Sequence, residues 1–563
     1  MPKPLLLARL TGTQAQMGAQ HGRLTAPDAA RLLAFYRTMP ERSLAGGGGA
    51  ASRFVVRQIA TAWQARLARE RPAELAARTA AFADAVAAEV PGHDPREARL
   101  AFATMDSLQN CVSLAARAQL GPFGNAIAAR AAASAVPACS TVIAWGSATE
   151  DGELLFGRNF DFPGIAVWDA APAFVTCVPE VAGADRGQRY GFFTTRGADT
   201  AVVTVVNEAG LVMAPHTRWH RGVTWGGAMI VDLVHEIARR AETLADAIAI
   251  ARETPASSSW GLAIGSAREK SAIVLELAGR AVEVVRPRGD YLVCANRYRS
   301  ALQAGELAAS SAWAVHSDRR EQRLRALVEA RQAPLVARDL ARFLGDRVDP
   351  AAPGRKRHLG GILAQAANVH CAVVAPAHRR AWVGVDQAPS CEGTWAELDW
   401  EWNGPQGGWE LGRLDELAGF RARIVDGFVA PHDPATRHVH EAARVYEATH
   451  DVAAARAAIE RAVGADPDDP SLRLAAAWLA LEAGMTDRAV IHTHAGLAHE
   501  TEPYRRGQLL AWGARAADRK LADRWRDELA RLPGLTAEGR DELRAIARKR
   551  GKPRINLLMV DAY

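Results

Sequence analysis

The chain has 563 residues, 69 Lys and Arg against 63 Asp and Glu, and a formal charge of +6 at pH 7. That length suits two or three domains, and 49% apolar residues with interspersed charges describe a soluble globular chain. No Lys/Arg stripe interleaved with aromatics points to nucleic acid, no apolar run reaches 18 residues, and residues 4–8 are too short for a signal segment; a cytoplasmic location without a membrane span is expected.

Residues 51–132, rich in Ala, Arg, Leu and Glu, read as helices, preceded by a flexible run Gly46-Gly47-Gly48-Gly49. With neither a strand before it nor a Gly-Lys-Ser/Thr after it, that run is a linker and not a phosphate loop. The most informative stretch follows. Cys139 opens a strand-like run through residue 148, Glu150-Asp151-Gly152 marks a turn, and Gly157-Arg158-Asn159-Phe160-Asp161-Phe162 returns. This hairpin brings Arg158 and Asp161 near Cys139. The face they share depends on loop parity, which the sequence leaves open.

The other cysteines (Cys111, Cys177, Cys294, Cys371, Cys391) are scattered without a C-x-x-C pair and read as small core residues. Metal spacing fails as well. His235-Glu236 lacks a second histidine at i+4, and the pair His216 and His220 reads as satisfied or exposed loop residues. No cofactor or metal is expected.

Taken together, these pieces resemble the C45 family of autoproteolytic acyltransferases and hydrolases. That family belongs to the N-terminal-nucleophile (Ntn) superfamily and is related to penicillin acyl-transferring enzymes and choloylglycine hydrolases. Besides the Cys139 hairpin, the resemblance rests on Gly12-Thr13 through Gly18-Ala19-Gln20-His21-Gly22, on Asn207-Glu208-Ala209-Gly210-Leu211, on Cys294-Ala295-Asn296-Arg297-Tyr298, and on Ser317-Asp318-Arg319-Arg320. Alanine at 138 stands where the family usually has glycine. The resemblance implies a self-cleavage between Ala138 and Cys139 that frees the Cys139 α-amine. It also implies roles for Arg158 and Asp161 beside the thiol and amine, an oxyanion hole from Asn207 and Asn296, and Arg320 as a residue that holds the site together or meets an acidic substrate group.

These residue types suit such chemistry. The thiolate is the nucleophile, and a thiol near pKa ~8.5 needs a base. A free α-amine at about 7.7–8 is well matched to that task at neutral pH, and preorganised amide donors stabilise a tetrahedral oxyanion. Asn207 reads equally well as a turn residue.

The expected fold is α+β: a helical propeptide or α chain over residues 1–138, an αββα Ntn sandwich over 139–405, and an all-α tetratricopeptide-like (TPR-like) tail over 438–545. Tyr446, Ala455, Ile459, Ala462 and Pro467 fall on consensus positions of a 34-residue repeat. Such a tail implies a protein partner or self-association. With its own apolar faces it is expected to make few contacts with the core, so that a chain ending near Asp433 would keep the site. The expected activity is hydrolysis of an acyl amide through a Cys139 thioester on a small-molecule substrate. Transfer of the acyl group to an amine or thiol is the first alternative, and a non-catalytic scaffold with a degenerate Ntn domain is the second.

Overall fold

The computed structural model describes residues 5–44, 50–117, 138–179, 187–224, 226–307, 311–352, 354–411 and 415–549. The Gly46–Gly49 linker and the helical expectation for residues 118–132 lie outside them. Two large sheets form the centre. One has nine strands in the spatial order β10 (Ala281–Val285), β9 (Ser271–Ala278), β8 (Ser259–Ser266), β7 (Leu211–Thr217), β6 (Thr204–Asn207), β5 (Tyr190–Thr195), β4 (Pro172–Pro179), β1 (Leu6–Gly12), β15 (Gly407–Glu410). The other has eight, in the order β11 (Tyr291–Cys294), β2 (Ala138–Ala144), β3 (Leu155–Asp161), β12 (Asn368–Ala375), β13 (Arg380–Gly384), β14 (Trp395–Trp400), β17 (Phe420–Val425), β16 (Asp415–Leu417).

Strand alternation divides the core into layers. Ile143, Phe156, Ala372 and Val374 of the eight-stranded sheet meet Phe174, Val206, Val212 and Ala263 of the nine-stranded sheet in one buried cluster between the sheets. On the outer face of the nine-stranded sheet, Val175 and Leu262 pack with Leu233, Ile237 and Leu244 of the helices Ile230–Arg240 and Leu244–Glu253. The outer face of the other sheet packs Val142 and Val373 with Leu324 and Leu340 of the helices Ser311–Glu329 and Ala337–Leu344. The architecture is the αββα sandwich, α+β, that the sequence implied.

The helices Ile230–Arg240 and Leu244–Glu253 are separate, because Thr243 and Asp246 form a reciprocal capping box that starts the second. Two expectations change. The N-terminal region is not only helical. Leu6–Gly12 is a strand inserted between β4 and β15 and parallel to β4. The two sheets also run past residue 405, since β15 to β17 end only at Val425.

Among the described residues the tail has seven helices, Pro434–Thr449, Val452–Ala465, Pro470–Glu482, Thr486–His499, Pro503–Ala516, Arg519–Arg531 and Ala537–Arg548. Six of them start at a side-chain cap from Asp433, Asp451, Asp469, Glu502, Asp518 or Thr536. The expected sparse boundary is overturned. Trp168, Trp219, Trp313 and Val369 of the sandwich share one buried cluster with Val439, Ile459, Leu472 and Trp478 of the tail. Ion pairs cross the same boundary: the buried pairs Arg505 with Asp349 at 2.5 Å and Arg357 with Glu500, and the half-buried pair Arg319 with Glu502 at 3.1 Å. The apolar faces that looked self-sufficient in the sequence are completed by the sandwich's tryptophans.

Candidate active site

Cys139 is the second residue of β2 and is 1% exposed. Antiparallel pairing sets Cys139 opposite Phe160, Thr141 opposite Arg158, and Ala138 opposite Asp161. Side chains directly opposite share a face, so Cys139, Thr141, Arg158 and Phe160 stand on one face, together with Ile143 of the intersheet core. Asp161 stands on the other. The hairpin proximity is as expected, and the register resolves the parity: Asp161 meets the cysteine through the main chain and not through a shared side-chain row.

Each predicted residue but one gathers here. Arg158 Nη2 donates to Cys139 Sγ at 3.0 Å and to the Pro215 carbonyl at 2.6 Å. The Cys139 N–H donates to Asn296 Oδ1 at 2.9 Å. Arg320 donates through Nη1 to the Cys139 carbonyl at 2.7 Å and to Ser140 Oγ at 2.9 Å, and through Nη2 to Asn296 Oδ1 at 2.8 Å. Asn296 is itself clamped: Ser317 Oγ accepts from its backbone N–H at 2.9 Å, and its Nδ2 donates to the Thr217 carbonyl at 2.9 Å. Its amide donor therefore points at Thr217, and its oxygen points at the nitrogen of Cys139. This geometry holds the cysteine nitrogen through Oδ1.

Asn207 is not brought to the cluster. Its Nδ2 donates to Ala238 and Ala241 carbonyls at 3.1 and 2.8 Å, and its Oδ1 accepts from Leu211 N at 3.0 Å. It ties the β6–β7 turn to the end of a helix, at the opposite end of β7 from Pro215. The turn reading of Asn207 is the one its contacts fit.

Asp161 is buried, accepting from Asn368 Nδ2 at 2.8 Å and Gln365 Nε2 at 2.9 Å. Burial pushes its carboxyl up to about 7, against the pull of Arg320, the Asn368 hydrogen bond and Arg158. Burial likewise pushes the Cys139 thiol up, opposed by the positive charges of Arg158 and Arg320 and by the Asp161 main chain. The raised Asp161 value has a consequence for the uncut chain. The unfolded carboxyl titrates near ~3.9, so between about pH 4 and pH 7 the folded state binds more protons than the unfolded one. Stability from this group is present below that window and is lost as pH rises through it. In a Cys139→Ala background, Asp161→Asn should flatten the fall in stability from pH 5 to pH 7.5, read by urea unfolding; an unchanged slope would place the titration elsewhere.

Sequence reasoning missed Thr141, His216, Gln365 and Asn368. His216 lies on β7, fully buried, with Nε2 2.8 Å from both Arg158 Nη1 and Thr141 Oγ1. It was hidden because an Ala-Pro before it resembles a loop, whereas Pro215 sits inside a strand paired on one side with β8. Four of the remaining cysteines behave as core residues, whereas Cys111 is only half-buried. Cys177, Cys294, Cys371 and Cys391 are buried, and burial pushes Cys294 up to about 11. Among the described residues, His358, Asp466 and Asp469 come close enough to share an ion. The Asp469 oxygens, however, already accept from Ser471 N at 2.7 Å and His358 N at 2.8 Å.

An apolar pocket opens on the thiol, with Tyr36, Phe102, Phe160, Trp168 and Trp260 among its walls. Tyr36 and Phe102 come from the segment before residue 118, so that segment builds part of the pocket. The same segment is bound to the sandwich by Arg78, which donates to Asp199 Oδ2 at 2.9 Å, and by His21 Nδ1, 2.8 Å from Asp199 Oδ1. No helix among the described residues is long and apolar enough to cross a membrane.

Residues 147–389 match the family described as acyl-coenzyme A:6-aminopenicillanic acid acyl-transferase. A solved structure of the Caenorhabditis elegans N-acylethanolamine-hydrolyzing acid amidase ortholog is similar at 13% identity and a TM-score of 0.30, over 42% of this chain and 93% of that one. No curated protein matches the chain. The family match, over fewer than half of the residues, supports the Ntn assignment read from the sequence and an enzyme acting on acyl or amide bonds.

Proposed function

We propose that this protein is a self-processing cysteine Ntn enzyme that cleaves an acyl amide through a thioester on Cys139. The observation that carries the reading is the double hold on one residue: Cys139 Sγ is 3.0 Å from Arg158 Nη2 while its nitrogen is 2.9 Å from Asn296 Oδ1. A structural cysteine needs neither. A nucleophile whose own nitrogen becomes the base needs both.

Processing begins when Sγ attacks the Ala138 carbonyl carbon. The bond to the Cys139 nitrogen breaks, that nitrogen leaves as the amine, and water opens the resulting thioester. Catalysis then reuses the groups. The freed α-amine takes the thiol proton, Sγ adds to the substrate carbonyl, and the proton passes to the leaving amine nitrogen. Water resolves the thioester and releases the acid. Arg158 stabilises the thiolate, Arg320 and Asn296 fix the main chain and nitrogen of Cys139, and Asp161 shapes the field from the far face. The apolar pocket favours an acyl group of hydrocarbon or aromatic character.

Asn296→Ala should lower kcat/KM for an amide substrate at least about tenfold, since it removes a polar contact of order 1.4 kcal/mol or more near the reacting nitrogen. Unchanged turnover would mean that the nitrogen is not the base. Transfer is the second reading, favoured by the acyl-transferase family match. It is tested by adding an amine acceptor: a product amide formed at the expense of the free acid supports transfer, and acid alone supports hydrolysis.

A further inference from the structure

We propose that His216 is the positioning residue that aims the Arg158 guanidinium at the Cys139 thiol, using Nε2 as a hydrogen-bond acceptor. The inference rests on the reading of Cys139 as nucleophile but concerns a residue that reading does not use.

The protonation pattern follows from the contacts. A guanidinium has only donors, so Arg158 Nη1 at 2.8 Å from His216 Nε2 requires a lone pair there. The imidazole must carry its proton on Nδ1 and remain neutral. A protonated ring would oppose N–H to N–H and cation to cation. The surroundings hold it neutral, because His216 is buried and faces Arg158 from β3, Arg218 from its own side and Arg320 from the helix Ser311–Glu329. The Thr141 hydroxyl, 2.8 Å from the same nitrogen and 3.4 Å from Arg158 Nη1, closes a small triangle around that arm.

Fixing one arm of a planar fork fixes the other. With Nη1 on His216, Nη2 falls between the Pro215 carbonyl at 2.6 Å and Cys139 Sγ at 3.0 Å. Both anchors, Pro215 and His216, are adjacent residues of β7 in the opposite sheet. The nine-stranded sheet thereby sets the direction of a cation rooted in the eight-stranded one. Without the acceptor, Nη1 would be a buried donor short of a partner, and the fork would turn to find one, taking Nη2 off the sulfur.

The test reads the thiol itself. Iodoacetamide labelling of Cys139 in the processed protein is followed by peptide mass spectrometry as a function of pH. The groups facing that thiol are Arg158, Asp161, Arg320 and its own α-amine. His216→Leu should raise the midpoint of the Cys139 profile by about one unit, which is about tenfold less thiolate at neutral pH; kcat should fall with KM changed less than twofold. His216→Gln, whose carbonyl oxygen reaches about where Nε2 lies, should keep the wild-type midpoint. A leucine variant that loses activity at an unchanged midpoint overturns the proposal. If the leucine variant does not fold, glutamine and asparagine decide between themselves: asparagine, shorter by one carbon, should raise the midpoint, and equal midpoints overturn the proposal. A wild-type Cys139 that never labels, or a fully active Cys139→Ala, would instead sink the nucleophile reading.

Discussion

Cys139→Ala should persist as one full-length chain, while the wild-type protein separates under denaturing conditions into two pieces whose new N-terminus is Cys139. The effect is all or nothing, because the attacking sulfur and the bond it attacks belong to neighbouring residues and no other thiol stands at that peptide. The two wild-type pieces should still travel together in native buffer. Leu6–Gly12 is a strand of the nine-stranded sheet, and Arg78 is buried against Asp199; pulling the first piece away would expose a sheet edge on both sides and an unpaired buried charge, which costs about 3–5 kcal/mol. Intact-mass measurement and size-exclusion chromatography read both parts. A Cys139→Ala chain cut at the same bond would assign the cleavage to a contaminating protease.

How much of this was legible beforehand depended on whether a residue's job is local. The β2–β3 hairpin follows from an apolar run and a turn signal, and the sequence showed it. Cys139, Arg158 and Asp161 were found together because they share one hairpin. Asn296 and Arg320 were found through resemblance alone: nothing in an asparagine after an apolar run, or in an arginine among four on one helix, announces a contact with a cysteine 157 or 181 positions away. His216 escaped for the converse reason, since proline before it suggests a loop and the strand at that point is held by its pairing with β8. Asn207 was overread because a side chain that satisfies a turn looks, in sequence, like one that serves a site.

The last expected result concerns the tail. A chain ending at Asp433 should be insoluble, or should remain uncut, instead of behaving as a free catalytic domain. The cut would break the buried cluster that Trp168, Trp219 and Trp313 share with the tail and take both Glu500 and Arg505 from the buried Arg357–Asp349 pair. Burying one large apolar side chain contributes about 1.5–3 kcal/mol, against a whole-domain stability of about 5–15 kcal/mol. The coupling also reaches the pocket. Glu447 of the helix Pro434–Thr449 accepts from the backbone N–H groups of Gly164 and Ile165 at 3.0 and 3.2 Å, and these residues belong to the loop between Phe162 and Trp168, both of which line the cavity at the thiol. Glu447→Ala in the full chain should therefore fold and process itself, yet bind apolar acyl substrates more weakly, with KM raised several-fold and kcat changed less. Measuring KM for a short and a long acyl amide separates the cases. A rise confined to the longer substrate follows from a loosened pocket loop, and a soluble, self-processing chain ending at Asp433 would show that the sandwich needs no tail at all.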